Sequence, residues 1–144
     1  MSAAGDRLQV ALAAEHAAIY AYGVIGSHLE DDELVWAHDA DLAHRQQRDA
    51  TADLITAENA TPAVAAPAYQ LPKPVTDRAG ALTLAVEVET RSAAVWRSAL
   101  GSLTGDARGV ALAALTGAAV RAAQWRTVAT PDSPPTVPWP GGSK

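Results

Sequence analysis

The chain has 144 residues and a formal net charge of −5 at pH 7, with 49% hydrophobic and 19% charged residues. This length fits one domain, and this balance excludes a globally disordered chain. Cysteine is absent, which excludes disulfides, thiolate metal sites and a cysteine nucleophile. The acidic charge argues against a nucleic-acid partner. No secretory signal pattern and no apolar run near the ~20 residues of a membrane span are recognised, so we expect a cytoplasmic protein with no membrane partner.

The composition and the positions of prolines and glycines predict an all-α fold. Alanine is the most abundant residue and aromatic residues make up only 5%, and alanine favours helices over strands. Prolines and glycines separate four stretches with helical periodicity, and each begins near an aspartate suited to an N-cap or a first turn. The predicted helices cover residues 6–29, 31–59, 77–101 and 106–129.

The connections between these helices predict the topology. The first and second helices are joined by a short turn, as are the third and fourth, so each pair forms an antiparallel hairpin. The proline-rich segment 61–76 could reach about 50 Å at ~3.1 Å per residue, enough to cross the length of the bundle. Two hairpins joined by one long crossover is ferritin-like connectivity. The chain is predicted as a single domain, 1–144, with an extended proline-rich tail, 130–144, whose Trp139 docks on the bundle or on a neighbouring subunit.

Polar residues interrupt the apolar stripes of the predicted helices. Each buried charge costs several kcal/mol unless it is paired or bound to a metal. The residues on the inward stripes are therefore expected to form one buried polar cluster, whereas Trp96 and Trp125 are assigned to the core. The predicted cluster consists of Glu15, Tyr22, Asp41, His44, Arg48, Glu89 and Arg121. For the fourth helix, the sequence allows two different seams, or rows of residues, to face the core. The first runs through Ala111, Ala114, Ala118, Arg121 or Ala122, and Trp125. The second runs through Leu112, Leu115, Ala119 and Arg126.

The cluster has two interpretations. A di-metal carboxylate site takes one Glu from each of two helices and a Glu-x-x-His from each of the other two, but the fourth helix has no carboxylate or histidine between Arg108 and Ala129. The favoured interpretation is a buried acid–His–Arg network without a cofactor, in which arginines form charge-assisted hydrogen bonds with the acids. The alternative is a single Fe, Mn or Zn ion, completed by Tyr22, water or another chain. Its ligands would be Glu15, Asp41, His44 and Glu89.

Five segments carry a resemblance to a known family. They are Ala13–Ala18, Tyr20–Gly23, Ala43–Asp49, Tyr69–Asp77 and Arg121–Arg126. In these segments the chain resembles the ferritin-like superfamily, and more narrowly a small actinobacterial ferritin-like family of unknown function. The superfamily implies a four-helix bundle and, in its active members, iron or manganese oxidation chemistry, whereas the narrow family implies no known reaction. The sequence departs from the superfamily at the fourth helix and at Asp41, where a longer Glu is usual.

These observations predict a non-catalytic ferritin-like protein with a degenerate di-metal site, which acts in binding or assembly as a homodimer. The alanine-rich fourth helix offers a flat surface to another helix. Two alternatives stay open. One is a metal-binding oxidoreductase or sensor, and the other is a bundle whose polar cavity binds a small molecule.

Overall fold

The computed structural model describes residues 2–142, which form four helices and contain no strand. The helices are α1 (Ala3–Gly26), α2 (Asp31–Ala57), α3 (Arg78–Leu100) and α4 (Gly105–Ala129). This confirms the predicted all-α, four-helix fold, and every helix end lies within three residues of its predicted position.

Capping side chains account for where the helices begin. The Ser2 side chain accepts a hydrogen bond from the Gly5 backbone at 3.0 Å, so α1 begins three residues before its predicted start. Asp77 caps α3 in the same way by accepting from the Gly80 backbone at 2.8 Å. Each of these side chains satisfies a backbone donor that has no partner within the helix.

The four helices form a bundle in which α1 packs against α2 and α3, and α4 packs against α3 and less extensively against α2. The long connection, residues 58–77, runs along α1 and is hydrogen-bonded to it. The Gln9 amide donates to the Thr61 carbonyl at 2.8 Å and accepts from the Ala63 backbone at 3.0 Å, and His16 Nε2 lies 3.0 Å from the Ala63 carbonyl oxygen. The connection is therefore the expected crossover, held against the side of the bundle.

The core has two apolar clusters with a polar layer between them. One cluster surrounds Ile25 and Leu82, and the other surrounds Leu12 and Leu103. The α4 helix buries the first of its two candidate seams, which resolves the ambiguity left by its alanines. The buried residues of α4 are Ala111, Ala114, Ala118, Ala122 and Trp125. Small side chains on this seam let α4 approach its neighbours closely enough for longer polar side chains to meet in the middle.

The proline-rich tail folds back onto α3. Arg97 donates a hydrogen bond to the Pro140 carbonyl at 3.0 Å, and its guanidinium lies 5.4 Å from the ring centroid of Trp139. Gly141 has φ +73° and lies so close to α3 that a Cβ there would overlap the Ala93 carbonyl. The tail therefore docks on the bundle of its own chain, although Trp139 stays 70% exposed.

The α1 helix is long and apolar enough to cross a membrane by length and composition, since its best 18-residue stretch has a mean hydropathy of 1.3. The sequence expectation that no segment is long and apolar enough to span a membrane was therefore wrong for α1. Abundant alanine and a few large aliphatic residues raise the average. Core helices of soluble proteins reach the same value, and α1 buries one face in the bundle with the Glu15 carboxylate near its middle.

Candidate functional site

The polar layer is centred on His44, whose imidazole lies between two buried carboxylates. Nδ1 is 2.6 Å from Glu15 Oε2, and Nε2 is 2.9 Å from Glu89 Oε1. No more than 1% of any of these three residues is exposed. A ring nitrogen that faces a carboxylate oxygen must donate, so both nitrogens carry a proton and the ring is an imidazolium.

The electrostatic environment favours this protonation state. Burial by itself lowers the pKa of His44, but the hydrogen bonds and negative charges of Glu15 and Glu89 outweigh it and raise the pKa from 6.5 to about 9. Burial by itself would raise the pKa of Glu89, but His44, Arg121 and Tyr22 outweigh it and lower that pKa below its usual value. The imidazolium and the carboxylate therefore stabilise each other.

Three aromatic side chains add hydrogen bonds to the polar layer. Trp96 Nε1 donates to Glu15 Oε1 at 2.8 Å, and the Tyr22 hydroxyl donates to Glu89 Oε1 at 2.6 Å. Trp125 Nε1 donates in turn to the Tyr22 hydroxyl at 2.9 Å. Burial and the nearby Glu89 charge raise the pKa of Tyr22 well above its usual value, so the phenol remains a hydrogen-bond donor.

Arg121 supplies the second positive charge from α4. Its Nε donates to Glu89 Oε1 at 3.0 Å, and its side chain is 22% exposed. The guanidinium lies over Gly117, where an added Cβ would come within 3.0 Å of Nη1, so this glycine provides the space that Arg121 occupies. Two carboxylates, one imidazolium and one guanidinium sum to zero charge.

The structure brings together five of the seven predicted cluster residues and excludes two. Asp41 instead accepts from Arg45 Nε at 2.9 Å, and Arg48 Nε donates to Asp49 at 2.8 Å. The prediction was wrong for Asp41 and Arg48 because both lie beside the buried face of α2 rather than on it. Its buried residues are Ala37, Ala40, His44, Thr51 and Ile55. With Ala40 facing the core, Asp41 lies at the edge of the buried face, with its side chain 30% exposed.

Sequence reasoning also missed some of the hydrogen-bond donors. Trp96 and Trp125 were assigned to the core as apolar groups, yet both indole N–H groups bond within the polar layer. The sequence could have predicted these bonds, because a buried indole N–H usually finds an acceptor and both tryptophans were expected to be buried. Tyr22 was predicted as a member of the cluster, and its hydroxyl donates to Glu89 on another helix.

The donor set does not fit a di-metal carboxylate centre. Both His44 nitrogens donate to carboxylates, and three of the four oxygens of Glu15 and Glu89 already accept from protein donors. The fourth oxygen, Glu89 Oε2, is buried without a hydrogen-bond partner in the described part of the chain. Glu15, His44 and Glu89 meet through hydrogen bonds, but within residues 2–142 no group of three or more histidine, aspartate or glutamate side chains is arranged so that it could hold a metal ion. In addition, α4 places a guanidinium beside Glu89, which repels a divalent cation.

Replacing one acid of the network should cost far more stability than replacing the excluded acid. Glu89→Gln leaves His44 paired with Glu15 alone and deprives Arg121 of its carboxylate partner, so one positive charge in the layer is uncompensated. We therefore expect a loss of about 3–5 kcal/mol in the free energy of unfolding. The matched control, Asp41→Asn, removes a partly exposed pair and should cost about 0.5 kcal/mol or less. Urea denaturation measures both, and equal losses would show that Glu89 is not the centre of a buried charge network.

Stability should fall between about pH 6.5 and pH 9. The folded-state pKa of His44, about 9, lies above the ordinary histidine value of 6.5. Its stabilising effect is therefore fully present below pH 6.5 and is lost as the pH rises through 9, with a size on the order of 3 kcal/mol. On the acid side, the lowered pKa of Glu89 predicts a loss of stability as the pH falls below 4.5.

Denaturation curves at about pH 6, 7.5 and 9.5 measure the alkaline loss. In His44→Gln the slope assigned to His44 should vanish, whereas His38→Gln, which alters an exposed histidine of the same helix, should keep it. A slope that survives in His44→Gln would assign the titration to another group.

Comparisons with known proteins agree with this architecture. A conserved hypothetical protein, rv2844, from Mycobacterium tuberculosis is 38% identical and superimposes with a TM-score of 0.84 over 88% of this chain and 90% of the other. A dodecameric thioferritin, the bacterioferritin-related protein from Bacteroides fragilis, is 19% identical, with a TM-score of 0.74 over 85% of this chain and 82% of the other. The second likeness supports the ferritin-like fold alone.

Among curated proteins, none matches this sequence. The family model described as "Domain of unknown function (DUF4439)" matches residues 7–144, which is nearly the whole chain. This match agrees with the resemblance carried by the sequence segments, and the likeness to the bacterioferritin-related structure supplies the fold. The chain belongs to the DUF4439 family and has the ferritin-like four-helix fold.

Proposed function

We propose that this protein is a non-catalytic, metal-independent ferritin-like module of the cytoplasm, in which a self-neutralised network takes the place of a di-metal centre. The observation that carries the proposal is the double donation of His44 to Glu15 and Glu89, with Arg121 balancing the remaining charge. Buried carboxylates that are compensated by protein cations do not require a metal for stability.

The network also lacks the features of a reactive centre. A general acid or base needs a nitrogen or oxygen that can reach a substrate, but both His44 nitrogens and the Tyr22 hydroxyl are engaged within the core. The Arg121 side chain is the most exposed among the four charged groups, at 22%. These features support a structural role for the network.

The outer face of α4 is the surface that best suits self-association. Leu112 and Val120 are 55% and 65% exposed. From Gly109 to Ala129 the charged residues of α4 are Arg121 and Arg126, and both donate hydrogen bonds within the chain. An uncharged helix face with exposed aliphatic side chains favours a symmetric contact with a second copy. The bacterioferritin-related structure is a dodecamer, and for this chain we propose a homodimer through α4.

Metal content tests the first part of the proposal. Protein purified without chelator should contain no stoichiometric Fe, Mn or Zn, and anaerobic titration with Co²⁺ should produce no saturable d–d absorption, because the donors are already engaged. Arg121→Ala serves as a comparison that removes the repelling charge. Stoichiometric metal in the parent protein that is lost in Glu15→Gln would contradict the proposal that the protein is metal-independent. That result would favour the alternative function, a metal-binding oxidoreductase or sensor.

Sedimentation velocity tests the homodimer. Val120→Glu places a charge in the proposed contact and should shift the protein from dimer to monomer, with at least a tenfold weaker association. Val10→Glu is the matched control, because Val10 is 52% exposed on a different helix. A monomeric parent at about 100 μM, or dissociation of both variants alike, would contradict a specific α4 contact.

A further inference from the structure

A row of three aromatic side chains connects the surface of α2 with the polar layer. Trp36 of α2 is partly exposed, and its ring packs edge-on against Trp125 of α4, with 5.7 Å between the ring centroids. Trp125 is fully buried, and its ring centroid lies 6.4 Å from that of Tyr22 on α1. Both separations lie in the range of about 4.5–7 Å at which aromatic rings contact one another. The three rings therefore form a continuous path from solvent to a buried phenol.

Tyr22, at the inner end of this row, has a base for its phenolic proton. Its hydroxyl donates to Glu89 Oε1 at 2.6 Å and accepts from Trp125 Nε1 at 2.9 Å. The imidazolium of His44 stacks on the Tyr22 ring with 5.6 Å between the centroids, so a positive charge on that ring is unfavourable. Loss of an electron from Tyr22 therefore requires loss of the phenolic proton as well, and the Glu89 carboxylate is placed to accept it.

Few other side chains of this protein compete for an oxidising equivalent. Sulfur-containing side chains are oxidised readily, but the sequence has no cysteine, and its one methionine is Met1. Tyr22 is only 3% exposed, so a radical formed there is shielded from solvent and from other molecules. The burial of the phenol and the scarcity of sulfur both favour a persistent radical at Tyr22.

We propose that this row carries single oxidising equivalents from the surface at Trp36 to Tyr22. A small diffusible radical takes one electron from Trp36 and is reduced to its anion. Trp36 then takes an electron from Trp125, and Trp125 takes one from Tyr22, so both indoles return to their starting state. Tyr22 becomes a neutral phenoxyl radical, and its proton moves along the hydrogen bond to Glu89 Oε1, which becomes a carboxylic acid.

The proton transfer gives the relay its direction, because a neutral phenoxyl radical is easier to form than an indole radical cation. The relay goes beyond the proposed function. It needs no metal and no substrate in contact with the core, since electrons pass between rings that touch. The metal analysis and the sedimentation experiment therefore do not decide it, and either inference can fail without the other.

Pulse radiolysis of the full chain tests the relay, with the azide radical as the oxidant that takes one electron and becomes azide. The background variant is Trp139→Phe, because Trp139 is 70% exposed whereas Trp96 and Trp125 are 0% exposed. This leaves Trp36 as the accessible tryptophan of the four in the sequence. The tryptophanyl absorption should decay and the tyrosyl absorption should rise with one first-order rate constant. That constant should not depend on protein concentration, because the transfer takes place within one molecule.

Variants of the row assign the steps. Tyr22→Phe should lower the yield of the tyrosyl radical that forms after the pulse at least fivefold, whereas Tyr20→Phe, which alters the other tyrosine of α1, should leave it unchanged. Trp125→Phe should slow the transfer at least tenfold, because a phenyl ring is not oxidised under these conditions and the remaining step is longer. Circular dichroism checks that each variant is folded. Trp36→Phe changes a partly exposed position, so it tests the outer end of the row without disturbing the core.

Trp36→Phe should lower the yield of the tyrosyl radical formed after the pulse at least fivefold. The inference is overturned if the tryptophanyl radical decays without a tyrosyl product, or if Tyr22→Phe keeps the full yield, which would assign the radical to Tyr20 or Tyr69. It is also overturned if Trp36→Phe leaves both the rate and the yield unchanged.

Discussion

The imidazolium of His44 holds two buried carboxylates that would otherwise repel each other in the centre of the bundle. Each helix contributes one charged member, since Glu15 lies on α1, His44 on α2, Glu89 on α3 and Arg121 on α4. Sliding or rotating any helix would leave a charge in a medium where it has no solvent and no partner. The network therefore sets the relative height and rotation of all four helices, and the apolar clusters pack around that arrangement.

The composition of the core follows from this polar layer. Alanines on the buried seam of α4 bring the backbones close, so that Arg121 reaches Glu89. Trp96 and Trp125 fill the volume that small residues leave, and their indole N–H groups donate into the layer. A bundle with few aromatic residues thus uses two of them for both packing and hydrogen bonding.

The guanidinium of Arg121 on the fourth helix determines the charge balance of the polar layer. A di-metal centre collects carboxylates whose summed charge requires cations. Here the positive charge is part of the chain, and the layer is neutral without any added ion. The second positive charge of this layer is supplied by Arg121 of α4, which donates to Glu89.

By itself, the sequence determined the four helices, their limits to within three residues, the long crossover and most of the buried charges. It could do so because hydrophobic periodicity and helix-breaking prolines and glycines act on the chain locally. Only the tertiary structure decided which neighbouring residue faces inward on α2, where Ala40 is buried and Asp41 lies at the edge. It also decided that Tyr22 bonds to Glu89 and that Trp96 bonds to Glu15. Helical periodicity locates a face only to within about one residue, whereas hydrogen-bond partners depend on how the four helices are rotated against one another.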